Sequence, residues 1–133
     1  MSDHMEEETL LVLSQLFDSI GIIEKGIEKI YHYLLNNKKI ENLKEVCAQF
    51  DLTLKRGYKI CSVLDDLELV IIYGRPMKIN LATPVMPKWQ KLVTRRIEEL
   101  KQEFTEKTER CENMLEQFIS AYELRDEEVA AEP

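Results

Sequence analysis

The stretch "LKRGYKICSVLDDLELVIIYGRPMKINLATP", residues 54–84, changes its period half-way along. Its first half places Ile60, Val63, Leu64 and Leu67 three and four residues apart, which predicts one apolar face of a helix. Thr53, immediately before it, is suited to cap that helix. The second half reads as strand. "LVIIY" is rich in β-branched residues, and "MKINLA" alternates so that Met77, Ile79 and Leu81 share one face. Between the two runs, Gly74 permits a positive φ and Pro76 pre-sets the next turn position, so a hairpin is expected. Its tip carries Arg75 and Lys78, although the chain as a whole has a net charge of −7.

Upstream, "NLKEVCAQF" (42–50) predicts a short helix. Asn42 is its N-cap, Glu45 stands at the capping-box spacing, and Leu43, Val46, Cys47 and Phe50 face inward. Before that lies a helix with Ile27, Ile30, Tyr31, Leu34 and Leu35 on one side. It ends at "NNKK" (36–39), where Asn tolerates the left-handed cap conformation. Residues 6–19, with Leu10, Leu13, Phe17 and Ile20 on one face, predict an amphipathic helix broken at Gly21.

Downstream, Pro84 and Pro87 end the hairpin and open a long helix over roughly residues 87–125. Its apolar positions fall into two heptad series. One holds Ile97, Phe104, Cys111 and Phe118; the other holds Val93, Leu100, Lys107, Met114 and Ala121. Such a helix is about 57 Å long at 1.5 Å per residue, more than a small domain covers. A second copy is its simplest partner. Val93, Ile97, Leu100, Phe104, Cys111, Met114 and Phe118 are the expected dimer interface, with parallel and antiparallel pairing both open. Lys107 interrupts the seam, and residues 6–19 are an alternative partner within the chain. A symmetric Cys111 pair has the position to oxidise across the seam, but in a reducing cell the residue acts as a small core hydrophobe.

The bulk numbers fit this layout. A chain of 133 residues, 44% hydrophobic and 32% charged, is long enough for one packed domain with an appendage. Four Gly and four Pro are too few for a loop-rich β-sandwich. The acidic N-terminus is unlike a secretory signal, and no run reaches the roughly 20 apolar residues that span a bilayer. An intracellular, cytoplasmic protein without membrane contact is expected. Its three cysteines, Cys47, Cys61 and Cys111, are read as reduced thiols. The charge is uneven: −5 over residues 1–21, +2 over 22–82 and −4 over 83–133, so a polyanion would be met in the middle.

Three helices followed by a hairpin within about 60 residues have the order of a winged helix-turn-helix. The expected fold is mainly α. It has an N-terminal helix (1–21), a winged helix-turn-helix domain (22–84), a long coiled-coil-like dimerisation helix (85–125) and a frayed acidic tail (126–133). Residues 22–92 also resemble the DNA-binding domain of TrmB-like transcriptional regulators of the MarR/ArsR winged-helix group. The resemblance is carried by Tyr58, Leu64 and Leu69-Val70, then by the Gly74-Arg75-Pro76 turn and Pro84. Where that family usually has Gly, this chain has Glu68. The resemblance is to a short form, with no support for a sugar-sensing effector domain.

In that motif class the third helix lies in the major groove and the hairpin tip reaches the backbone or minor groove. Thr53, Lys55, Arg56, Tyr58 and Lys59 at the helix start, with Arg75 and Lys78 on the wing, are then the candidate contacts to double-stranded DNA. Lys38, Lys39 and Lys44 are possible additions. A solvated helix start and a charged tip that keeps an edge soluble are the plain alternatives. The cysteines and the isolated His4 and His32 form no metal-ligand spacing, and no Gly-rich phosphate loop or catalytic constellation occurs. No metal, cofactor or enzymatic activity is expected. Two functions remain: a homodimeric DNA-binding transcriptional regulator, or a winged-helix module docking a protein partner in transcription or chromosome-organising machinery.

Overall fold

A computed structural model describes residues 2–124, with side chains from Met5 onward; the acidic tail 126–133 lies outside them. The described residues form five helices and one three-stranded antiparallel sheet. In chain order these are α1 (Ser2–Ser19), α2 (Ile27–Asn37), β1 (Lys39–Ile40), α3 (Leu43–Gln49), α4 (Leu54–Asp66), β2 (Val70–Tyr73), β3 (Lys78–Leu81) and α5 (Val85–Tyr122). The chain divides into two compact units, residues 1–94 and residues from Arg95 onward.

In the first unit the helix boundaries follow local chemistry. Asn42 accepts a hydrogen bond from the Glu45 amide at 3.3 Å, and Thr53 accepts one from the Arg56 amide at 3.1 Å. Each satisfies one donor that a helix start leaves without an internal partner. Three helix ends in this unit use left-handed residues that are not glycine. After α3, Asp51 (φ 57°) precedes an amide of Leu52 bonded to the Cys47 carbonyl. After α4, Glu68 (φ 62°) donates to the Asp65 carbonyl and Leu69 to the Leu64 carbonyl, the paired bonds of a Schellman ending. Helix α2 ends differently from the expectation: Lys38 (φ 73°), not an Asn, takes the left-handed position. Its amide still bonds the Leu34 carbonyl at 2.7 Å.

The hairpin forms where the alternation placed it. Val70 pairs with Leu81, Ile71 with Asn80, Ile72 with Ile79 and Tyr73 with Lys78. Gly74 has φ 80° and supplies the left-handed residue of the turn. The period-2 pattern buries Ile79 and Leu81, while Met77 is half-buried. A third strand was not foreseen. Lys39 and Ile40 pair with Asn80 and Ile79, so β3 is central in the order β1-β3-β2. A further amide bond from Leu81 to the Lys38 carbonyl, 2.8 Å, ties the end of α2 to the sheet.

The core gathers one face from each element. Ile30, Leu34, Ile60, Leu64, Leu69 and Ile79 have no exposed surface. Each burial of this kind is worth about 2 kcal/mol. At one end an aromatic trio joins three helices. Phe17 of α1 meets Tyr31 of α2 and Trp89 of α5 edge-on at ring-centre distances of 5.7 and 5.1 Å. The Trp89 indole N–H donates to the Tyr31 hydroxyl at 2.8 Å. Thus the sequence-predicted amphipathic helix at the N-terminus closes the core of this unit, and so do the first turns of α5, through Trp89 and Leu92.

Helices α3 and α4 cross closely at Gly57. A Cβ there would stand 2.3 Å from the Cys47 sulfur. The neighbouring thiols are held protonated: burial pushes Cys47 up, and burial followed by the nearby Cys47 pushes Cys61 up to about 12. Burial likewise raises the Tyr31 hydroxyl, against the opposing effect of its bond from Trp89.

The second unit is the remainder of α5 to Tyr122 with the residues that follow. Most of its described apolar side chains are uncovered: Ile97 is 46% exposed, Leu100 45%, Phe104 73%, Met114 53% and Phe118 51%, while Ile119 and Leu124 are half-buried. Phe118 and Tyr122, one turn apart, stack at a tilt with ring centres 5.4 Å apart.

Candidate nucleic-acid interface

The close α3–α4 crossing and the caps on both helices fix which face of α4 is outward. Gly57, Ile60, Cys61 and Leu64 point into the core. Lys55, Tyr58, Lys59 and Ser62 are exposed, at the spacing of a single stripe. Tyr58 retains half of its surface. Ser62 was missed in the sequence reading; its place seven residues after Lys55 is the signal that finds it. One turn further on, Asp65 and Asp66 are exposed, so the stripe is cationic at its start and anionic at its end.

Three elements meet at the cationic end. Glu41, Asn42 and Lys44 at the start of α3, Leu54 and Tyr58 on α4, and Pro76 and Met77 of the hairpin turn line one open cleft. The hairpin turn is therefore beside the first turn of α4, with Arg75 exposed and Lys78 half-exposed. Lys55, Lys59, Lys44 and Arg75 all present charge to solvent on these three elements.

The other predicted residues are placed differently. The Thr53 hydroxyl oxygen accepts the helix-cap bond from the Arg56 amide. Arg56 turns to the loop between α1 and α2, where its guanidinium pairs with Glu24. That carboxylate is mostly buried, with 15% of its side chain exposed. The pair was invisible to spacing rules because the two residues are 32 positions apart. Lys38 bonds the Leu35 carbonyl at 3.1 Å, and Lys39 pairs with Glu41 at 3.2 Å. Lys44 is exposed.

The expected interface residues on α5 fall in both units. Val93, in the first, lines an apolar groove with Leu13, Leu16, Leu35 and Met86. Ile97, Leu100, Phe104, Cys111, Met114 and Phe118 all lie in the second and are exposed there. No helix among the described residues is long and apolar enough to cross a membrane.

The chain gives no significant match to a protein-family model, to a curated protein or to a solved structure.

Proposed function

We propose that this chain is a winged helix-turn-helix, DNA-binding transcriptional regulator of TrmB-like type that acts as a homodimer. Helix α4 enters the major groove, and the β2–β3 hairpin is the wing on the backbone or minor groove. The observation that carries this reading is the meeting of the α3 start, the α4 start and the hairpin turn around one cleft, with Lys44, Lys55, Lys59 and Arg75 exposed on those elements. Cations on three separate elements suit a phosphate backbone, while Tyr58 and Ser62 stand on the helix face available to sugar or base edges. Arg56, held by Glu24, orients the α4 start in this reading and makes no DNA contact.

The test is anisotropy of a labelled random-sequence duplex across a salt series. Binding strengthens as salt falls, and Lys55→Ala, Lys59→Ala or Arg75→Ala each lower the log–log salt slope by about 0.9, the release expected per phosphate lost. Absence of binding at the lowest salt sinks the DNA reading. A second reading, a winged module docking a protein, is favoured by the acidic end of the same α4 stripe at Asp65 and Asp66. It predicts a stoichiometric partner retained after nuclease treatment and lost on Lys59→Glu.

A further inference from the structure

Helix α5 carries an exposed apolar series beyond residue 95 with a charged flank, and that flank distinguishes between the two ways of pairing it with a second copy. We propose that two copies associate through residues 93–118 of α5 as an antiparallel coiled coil, centred between Phe104 and Lys107. The proposal rests on the homodimer part of the reading above and adds its orientation and its layers.

Ile97, Phe104, Cys111 and Phe118 occupy one core position of the heptad, and Leu100, Lys107, Met114 and Ala121 the other. In a parallel, in-register pair each residue of these series faces its own copy. Two Lys107 ammonium groups would then share a closed layer, and each Arg96 would flank the partner's Lys101. Both are like-charge contacts. The intrahelical pairs, Arg96–Glu99 at 3.4 Å with Arg96 half-buried and Lys101–Glu98 at 3.8 Å with both partners exposed, are too weak to offset them.

Antiparallel pairing removes both conflicts. The two series then face each other, so Ile97 meets the partner's Met114, Phe104 the partner's Lys107, and Cys111 the partner's Leu100. Each Lys107 lies against an aromatic ring, where its stem packs and its ammonium is attracted to the ring face. On one flank Glu103 comes beside the partner's Arg110, and by symmetry Arg110 beside the partner's Glu103. The remaining flanking residues, Arg96 and Lys101, fall near the partner's Gln117 and Thr108, which are uncharged.

Thiol chemistry on the full chain separates orientation from association. In the antiparallel pair the two Cys111 residues are offset by eleven helical positions, about 16 Å, too far for a disulfide. Sedimentation should show a dimer, and mild oxidation of the unaltered chain should leave it non-covalent. Leu100→Cys should give a covalent dimer, and Leu100→Cys with Cys111→Ser should not, because the introduced thiol then faces serine. A covalent dimer from the unaltered chain, or from the double variant, overturns the antiparallel arrangement while leaving the dimer intact. A monomer at all concentrations overturns the homodimer reading and this inference together, whatever the DNA assay reports. As a second measurement, Glu103→Arg should weaken association about tenfold or more by setting it against the partner's Arg110, and adding Arg110→Glu should restore it to within about threefold. A parallel pair sets Glu103 beside the partner's Thr108, and no change on Glu103→Arg counts against the proposal.

Discussion

Residues 5–94 and residues 95–122 carry the same kind of apolar spacing, yet only the first finds cover within the chain. In the first unit, Phe17, Tyr31, Ile60, Leu64 and Leu69 are closed off by sheet, helices and the aromatic trio. In the second, Phe104, Met114 and Phe118 each keep half or more of their surface. Period alone states that a face is apolar. What covers it depends on chain that lies far away in sequence, or on another molecule.

The widest contrast between the two units is in thiol labelling. Near neutral pH, Cys111 should react freely at low protein concentration and more slowly as concentration rises through the dimer range. Cys47 and Cys61 should react roughly a thousandfold slower at any concentration, because a buried thiol waits for opening of the core. Fast labelling of all three would place the α3–α4 crossing outside the stable core. The same burial predicts alkaline sensitivity. Once unfolded, Cys61 ionises near its ordinary value of 9.0, whereas folded it holds its proton to about 12. Its contribution to stability is complete below 9 and is lost as pH rises from there toward 12, measurable as a falling denaturation midpoint.

Among substitutions, Phe17→Ala should cost about 4 kcal/mol in denaturant unfolding, since it opens the aromatic trio. Phe104→Ala, an equal change on α5, should leave the unfolding of the first unit unchanged and weaken only association. Gly57→Ala should cost about 2 kcal/mol: the methyl meets the Cys47 sulfur, and the gain in helix propensity does not offset that clash. The smallest effect has the opposite sign. Glu68→Gly should raise stability by about 1 kcal/mol, because glycine adopts the left-handed cap without strain and the exposed Lys91–Glu68 pair at 3.4 Å contributes little.

Features set by neighbours along the chain were readable from the sequence. Asn42 and Thr53 cap the helices they precede, the Gly74 turn joins two alternating strands, and Pro84 immediately precedes α5. Features set by distant neighbours were not. Strand β1 is two residues long, too short to show a period, and exists because β3 offers it an edge. Trp89 has no distinguishing spacing, and its partners Phe17 and Tyr31 come from the far end of the chain. In the candidate interface, the α4 stripe and the hairpin charges could be read from spacing. The withdrawal of Arg56 by Glu24 could not, since no short-range rule links residues 32 apart.

Trp89 is the chain's single tryptophan, and it is buried with its indole N–H bonded to Tyr31. The protein therefore carries an optical label for one unit only. Its emission reports the integrity of the core formed by residues 1–94, whereas much of the far-ultraviolet circular dichroism comes from the 38-residue α5. Melting followed by both signals at once tells apart loss of the core and fraying of the long helix, with no dye and no substitution.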